Sequence, residues 1–418
     1  MTHDPLHLLF VEPRFPGRLG GLADWLVRCR GYRATFLCHS AEPPHRRPVS
    51  TGRGLEVIAY QVGGIAKSGA VAWTRILERG LCHAHAAWEV AEARRIRPVD
   101  IILGRSDGLG STLFLPHTYP KIPILQYFDY YFHAHRHDLA DDAELDPSTP
   151  DAFHQWRRAA NASELIEFEN GVHPWTASQW QRSLFPEPYR DDFLVLHEGI
   201  DTRLFRPDPA ARAERTVAGR SIPREARVVT FVARSPDRLR GFDRFLEIVD
   251  RLQRLDPNVI AIAVGDPEVV HALDVEHHGL DYAASRLLSH PPRDPDRLWR
   301  IGSASPGMVA RVLALSDLHI APGRVFPPSR STLEASATGA PVLATDHAPH
   351  REFFENDATA FLAPPEALAD RAVAIWNDEE LLRDVARAGA GATIARFGRD
   401  AALPRLCDRL LELVDRGS

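Results

Sequence analysis

The sequence predicts two successive α/β domains, each a doubly wound parallel sheet of Rossmann-like type, facing one another across a cleft. Three observations predict it. The chain has 418 residues, too many for one ordinary core and enough for two domains of about 200 residues each. Short, buried-looking apolar runs alternate with helical patterns, as in a parallel sheet wrapped by crossover helices. The alternation also restarts: one series closes near Leu196, a second opens at Val228, and Arg206 to Arg224 between them is rich in Pro, Arg and Ala without a firm apolar period.

The first series opens with a strand from Leu6 to Val11, bounded by Pro13 and followed by the turn-rich stretch Pro13 to Gly21. A helical pattern runs from Leu22 through Leu26, and a second strand, Ala34 to Leu37, follows Gly31. Val57 to Val62 reads as a third strand, Val71 to Arg95 as an Ala-rich helix, and Val99 to Leu103 and Ile122 to Phe128 as further strands. Asp138 to Pro150 is an acidic surface loop, and Trp156 to Phe168 a helix. Gly171 to Trp175 leads to a helix start at Ser178, and Phe193 to Leu196 is one more strand.

The second series comprises strand Val228 to Val232, helix Phe242 to Leu255, strand Val259 to Val264, helix Met308 to Leu315 and strand Leu318 to Ile320. Helix Ser331 to Thr338 and strand Pro341 to Thr345 complete it. The last helix, Leu403 to Asp415, has nothing after it to pack against and is free to cross back to the first domain. The expected division is an N-terminal domain over residues 1–205, a linker over 206–224, a C-terminal domain over 225–400 and a crossing helix over 401–418.

Bulk properties narrow the function classes. Hydrophobic content of 44% and charged content of 25% are those of a soluble globular chain. A net charge of -6 argues against a nucleic-acid binder. Cys29, Cys38, Cys82 and Cys407 have no CxxC spacing and read as free thiols of a reducing compartment. No apolar stretch approaches the roughly 18 residues of a transmembrane helix. Met1-Thr2-His3-Asp4-Pro5 lacks the features of a signal peptide. The expectation is a cytoplasmic protein, with peripheral contact at the inner membrane left open.

Ligands of doubly wound sheets lie beyond the carboxyl ends of the strands, so the turns there carry the candidates. After Phe231-Val232-Ala233 come Arg234 and Arg240-Gly241-Phe242, where guanidinium groups and a helix N-terminus suit a phosphate or diphosphate. The same arginines also read as solvated loop charges. Ala321-Pro322-Gly323-Arg324-Val325-Phe326 leads to Ser331-Thr332-Leu333-Glu334. There Glu334 falls in a first helical turn favoured for a carboxylate, or closes a capping box with Ser331.

Gly17, Gly20 and Gly21 follow the first strand without the GxGxxG spacing, which by itself says turn. Gly104-Arg105-Ser106-Asp107-Gly108 forms a third loop aimed at the cleft. Tyr127 to Asp138 contains His133, His135 and His137, but no complementary Cys or Glu set, so no metal site is expected. His83 and His85 read as surface residues of the Ala-rich helix.

Taken together, the chain resembles the family 4 retaining glycosyltransferases of GT-B architecture. The resemblance rests first on Trp175 to Pro186 leading into His197-Glu198-Gly199-Ile200-Asp201-Thr202. It rests also on Arg234 with Arg240-Gly241, and on Ser316-Asp317-Leu318-His319 through Glu334 to Gly339-Ala340-Pro341-Val342 and Thr345-Asp346. It covers nearly the whole chain. What it implies is metal-independent transfer of a sugar from a nucleotide diphosphate sugar, a co-substrate rather than a cofactor, to a hydroxyl acceptor with retention at the anomeric carbon. Arg234 and Arg240 would neutralise the donor diphosphate, the Ser331-Thr332 backbone would meet it at the helix start, and Glu334 would accept from the ribose hydroxyls. Pro322, Phe326 and Leu333 fall in the same donor-binding stretches, and Gly17 would approach the donor phosphates from the first domain. Asp129 falls near where many relatives have a histidine beside the reacting sugar. On the acceptor side stand Arg14, Arg105, Asp107 and Tyr130, in loops after Val11, Leu103 and Phe128. A glycan, lipid-linked, peptide or small-molecule hydroxyl would serve as acceptor.

The chain departs from the family at three points. Relatives commonly carry a Glu eight positions before the one matching Glu334, where this chain has Phe326. Arg240 replaces a lysine, keeping charge but changing shape. Asp129 cannot imitate a neutral histidine. Phe326 keeps open a non-catalytic, nucleotide-binding scaffold on the same fold, and a nucleotide-sugar epimerase or a phosphorylase-like enzyme is the other rival.

Overall fold

The apolar runs of the first series become seven parallel strands in the computed structural model, which describes residues 5–39, 54–62, 72–105, 110–133, 151–266 and 282–417. The strands are β1 (His7–Val11), β2 (Arg33–His39), β3 (Leu55–Tyr60), β4 (Ile101–Arg105), β5 (Ile124–Tyr127), β6 (His173–Thr176) and β7 (Leu194–Val195), ordered β3-β2-β1-β4-β5-β6-β7. β1 is buried along its whole length, as a strand covered on both faces must be, which is why its sequence shows no alternation. Its polar intruder, His7, is satisfied: Nε2 meets Thr35 Oγ1 at 2.9 Å and the backbone amide donates to Asp100 at 2.7 Å.

The second series gives β10 (Val228–Val232), β11 (Ile260–Val264), β12 (Leu298–Ile301), β13 (Leu318–Ala321), β14 (Val342–Thr345) and β15 (Phe361–Ala363), all parallel, in the order β12-β11-β10-β13-β14-β15. Both sheets reverse direction of growth at their first strand, so β1/β4 and β10/β13 are the topological switch points at which such sheets bind ligands. β12 and β15 are absent from the sequence reading because Arg300 interrupts one and the other is three residues long.

The chain divides into two compact units, Met1–Gly199 with Ala402–Ser418, and Ile200–Ala401. The segment 206–224 is not a linker. It folds within the second unit as a short helix, Pro209–Glu214, and an antiparallel hairpin, β8 (Thr216–Val217) and β9 (Arg220–Ser221). Arg212 pairs with Asp317 at 3.0 Å, and the Arg311 guanidinium donates to the Thr216 carbonyl at 2.7 Å. Polar contacts of this kind leave no apolar period to read.

The chain leaves the first unit at Gly199, whose φ of +81° only glycine adopts easily. It returns through the helix Arg399–Gly417. These two passages are tied together inside the second unit: the Ile200 amide donates to the Phe397 carbonyl at 2.6 Å, the Arg399 amide to Ile200 at 3.0 Å, and the Arg399 guanidinium pairs with Asp201 at 2.9 Å. Beyond that point Leu403, Leu406, Cys407, Leu410 and Leu413 form one stripe buried in the core of the first unit with Leu8, Phe10 and Leu22. Each leucine so buried contributes about 2 kcal/mol.

Two local expectations are corrected. The helix expected over Trp156 to Phe168 is two helices, Asp151–Ala160 and Ala162–Glu169, broken at Asn161, whose side-chain carbonyl accepts the Phe132 amide at 2.9 Å. His83 is not a surface residue: it is 3% exposed and bonded to the Tyr60 hydroxyl at 3.1 Å. His85 is exposed. Among the described residues no helix is long and apolar enough to cross a membrane.

Candidate functional site

In the second unit the carboxyl ends of β10 and β13 and the start of the helix Arg330–Ala337 surround one pocket, lined among others by Val232, Arg240, Pro322, Phe326, Ser331 and Thr332. Its shape is set by a turn. Asp237, almost fully buried, accepts the Arg240 amide at 2.7 Å with one carboxylate oxygen and the Ser235 hydroxyl with the other. Gly241 follows at φ +75°, where a Cβ would lie 2.2 Å from the Pro322 carbonyl oxygen, so the two loops close on each other only because residue 241 lacks a side chain. Arg324 locks them further, with its amide on the Leu239 carbonyl at 2.9 Å and its guanidinium on both oxygens of Asp243 at 3.1 and 3.3 Å. Burial works against the Asp243 charge, but Arg324 more than offsets it and holds the carboxyl below its ordinary range.

Within this frame the Arg240 guanidinium lies over the ring of Phe326, 5.3 Å from its centroid, and reaches the Pro327 carbonyl at 3.4 Å. Arg234 is exposed just past β10. The Ser331 hydroxyl donates to the Val232 carbonyl at 2.5 Å and joins the helix start to the end of β10.

Three sequence expectations change here. The helix begins at Arg330 after Ser329, with no side-chain cap, so Ser331 and Glu334 form no capping box and Glu334 stands in the second turn rather than the first. The Thr332 amide donates to the Ser329 carbonyl at 3.0 Å, so it is not among the open donors of the helix start. Leu333 is 2% exposed and part of the core, so its side chain serves packing and not a ligand.

The first unit places charge at its own switch point. Glu12, just beyond β1 and completely buried, accepts the amides of Arg18 and Leu19 and pairs with Arg105, the last residue of β4, at 2.6 Å. Arg105 also pairs with Asp129 at 2.6 Å, Arg18 approaches Asp129 at 3.3 Å, and Arg18 meets Glu198 at 2.5 Å. The result is an alternating chain, Glu12–Arg105–Asp129–Arg18–Glu198. Burial pushes the Glu12 carboxyl up, against the pull of Arg105 and two backbone amides. Burial also opposes the Arg18 charge, but Glu198, Tyr127 and Asp129 outweigh it and raise that guanidinium above its usual range. Gly17, at φ +52°, has no room for a Cβ: it would sit 2.3 Å from Glu12 Oε1 and 2.5 Å from the Arg14 carbonyl.

Arg14, Gly17, Arg105 and Asp129 thus belong to one neighbourhood. Arg105 is held by two carboxylates, those of Glu12 and Asp129. Tyr130 is 4% exposed, with its ring against Phe132 and Trp180, and forms part of an aromatic wall. Asp107, His135, His137 and Asp138 lie outside the described residues. The sequence reading missed Glu12, Arg18 and Asp237. Each follows a strand end, and Glu12 directly continues an apolar strand, a signal that could have found it.

Two family descriptions match this chain in tandem: glycosyl transferase family 4 group over residues 30–205, and glycosyl transferases group 1 over residues 214–391. The chain belongs to the family 4 glycosyltransferases. A curated relative of this family 4 chain is the GDP-mannose-dependent alpha-(1-6)-phosphatidylinositol monomannoside mannosyltransferase of Mycobacterium tuberculosis H37Rv, 24% identical over 264 residues, 61% of this chain and 63% of the relative. The match thus spans under two thirds of that relative. Among solved structures, sucrose-phosphate synthase from Thermosynechococcus elongatus has a TM-score of 0.72 at 13% identity, covering 98% of this chain and 100% of its own. Anabaena HepE in complex with UDP-glucose has a TM-score of 0.68 at 16% identity, covering 97% and 100%. These likenesses show the fold, two parallel-sheet α/β domains of GT-B type.

Proposed function

We propose that this glycosyltransferase moves a sugar from a nucleoside diphosphate sugar to a hydroxyl acceptor with retention, the second unit binding the donor. The observation that carries the reading is the pocket at the β10/β13 switch point, where Arg240, its amide held by Asp237, shares the lining with the start of the helix Arg330–Ala337. A departing diphosphate needs positive charge and oriented dipoles placed before the reaction begins, and this arrangement supplies both. Arg234 adds a second guanidinium at the same strand end. Glu334 is the candidate for the ribose hydroxyls and the backbone of Ser331 for the diphosphate. Pro322 and Phe326 form walls of the donor pocket.

In the first unit we assign the acceptor to the neighbourhood of Arg14, Gly17 and Asp129. The Asp129 carboxylate is held between two guanidiniums and is still 23% exposed, so it can accept from a further hydroxyl. The relative that acts on a phosphatidylinositol mannoside makes a lipid-linked glycan the first acceptor class to test, with peripheral contact at a membrane surface as its corollary.

Calorimetry with UDP, GDP and ADP and their sugars, on wild type and Arg240→Ala, tests the donor site. One nucleoside diphosphate is expected to bind wild type and to lose most of its affinity in the variant; no binding by wild type defeats the reading. Phe326 supports a second reading, a nucleotide-binding chain without turnover. Tight nucleotide binding with no hydrolysis or transfer from any donor sugar would favour it.

A further inference from the structure

β14 ends at Thr345, and the chain turns through Asp346 into the short helix Ala348–Phe353, with His347 as its N-cap. His347 is 7% exposed and His350 3%, and their rings stack at 4.1 Å with an interplanar angle of 16°. Their hydrogen bonds settle where the ring protons lie. The His350 backbone amide is shared between the His347 carbonyl at 3.0 Å and His347 Nδ1 at 3.3 Å; with Nδ1 accepting, the proton of a neutral ring is on Nε2. His350 Nδ1 meets the Thr345 carbonyl at 2.7 Å, and since a carbonyl only accepts, that nitrogen donates. Burial lowers the pKa of His347 to about 4 and that of His350 to about 3, and both rings are neutral near pH 7.

His347 Nε2–H is therefore a buried donor, and it has no partner among the described residues. So is the hydroxyl of Thr332, 1% exposed and likewise without a partner among them. Both residues line the pocket that Arg240, Phe326 and Ser331 also line. A buried donor left unpaired is costly, and native structures avoid it unless something else completes the bond. Two inward donors, a guanidinium and the start of the eight-residue helix Arg330–Ala337 together select an atom that accepts only and carries negative charge. A sugar hydroxyl would bring a proton of its own; a phosphoryl oxygen brings none.

We infer that His347, through Nε2–H, holds a phosphoryl oxygen of the bound nucleoside diphosphate, with the Thr332 hydroxyl as a second side-chain donor. The inference rests on the donor reading of this pocket. It adds a contact from the loop after β14. Because the donor is a neutral ring, the contact persists above the ordinary histidine range, where an imidazolium would have lost its proton.

The test is nitrogen-15 NMR of the full chain labelled at histidine, with the His347 signals assigned by their loss in His347→Asn. Asparagine keeps an N-cap oxygen for the His350 amide and deletes the Nε2 donor. The expected result is an Nε2–H tautomer at His347, a shift of its Nε2 resonance on adding UDP or GDP, and affinity for that nucleotide about tenfold weaker in His347→Asn. Uridine or guanosine, lacking phosphates, should bind both proteins alike. An Nδ1–H tautomer, or a nucleoside diphosphate that binds without moving the His347 signals, overturns the inference and leaves the donor site standing. If pyrophosphate shifts His347 while no nucleoside diphosphate binds, the phosphoryl contact stands and the nucleotide reading falls. If UDP, GDP, ADP and pyrophosphate all fail to bind, both fall.

Discussion

The guanidinium of Arg240 rests over the phenyl ring of Phe326, 5.3 Å from its centroid. Phe326 stands where the family commonly has a carboxylate, so the departure falls on a side chain that positions the arginine. An aromatic face steadies a cation without neutralising it, which leaves the charge of Arg240 available to an anion. Phe326→Leu keeps apolar bulk and removes the π face; nucleoside diphosphate affinity should fall by a few fold, for a loss of about 0.5–1 kcal/mol. Phe326→Glu should weaken it further, because the new carboxylate competes for Arg240. Calorimetry compares them, and equal affinities in all three proteins would show that the ring contributes nothing.

Arg105 and Glu12 make a second testable pair. Glu12 is completely buried and Arg105 only 12% exposed, so removing the arginine strands a carboxylate in the core. Arg105→Ala should cost about 3–5 kcal/mol in urea unfolding. Glu12→Gln in the same chain should recover a large part of it, since an amide costs less to bury than an unpaired charge. Failure of the second change to restore stability would mean that the arginine acts chiefly through Asp129.

Asp201 ties both passages of the chain together. Its carboxylate holds Arg399 at 2.9 Å and the Arg203 amide at 3.2 Å. The pair is part-exposed, so Asp201→Ala should lower stability by only about 1–2 kcal/mol. Differential scanning calorimetry should show a lower Tm, whereas Arg203→Ala, a well-exposed neighbour, should leave it unchanged.

Acid stability should follow the buried histidines. Burial lowers the pKa of His319 to about 3, while in the unfolded chain it lies at about 6.5. Between these values the unfolded state takes up protons that the folded state refuses, so stability is lost as pH falls below about 6.5 and is unaffected above it. His347 and His350, lowered to about 4 and about 3, act in the same direction. In His319→Asn, Tm should fall less steeply between about pH 6.5 and pH 5 than in wild type; parallel curves would clear His319 of any part in acid unfolding.

The sequence by itself determined the two β-α series, their parallel character and the family, because buried parallel strands such as β1 and β10 are written as unbroken apolar runs between glycine- and proline-marked turns. It also marked Arg234 and Arg240, which follow a strand end, and Glu334, which lies near a helix start. Partnership it could not determine. Glu12, Arg105, Asp129, Arg18 and Glu198 are up to 186 positions apart, and only the fold, which sets β1, β4 and β5 side by side and brings the segment after β7 to them, joins their charges. Asp237 behind Arg240, the helix start at Arg330 and the capture of residues 206–224 by the second unit are likewise contacts between distant segments. So is the stripe of Leu403, Leu406 and Leu410: its spacing announces a helix with one apolar face, and only the tertiary structure decides which core that face enters. Local pattern encodes which backbone state a segment prefers; charge pairing and burial depend on neighbours in space, which no window along the chain contains.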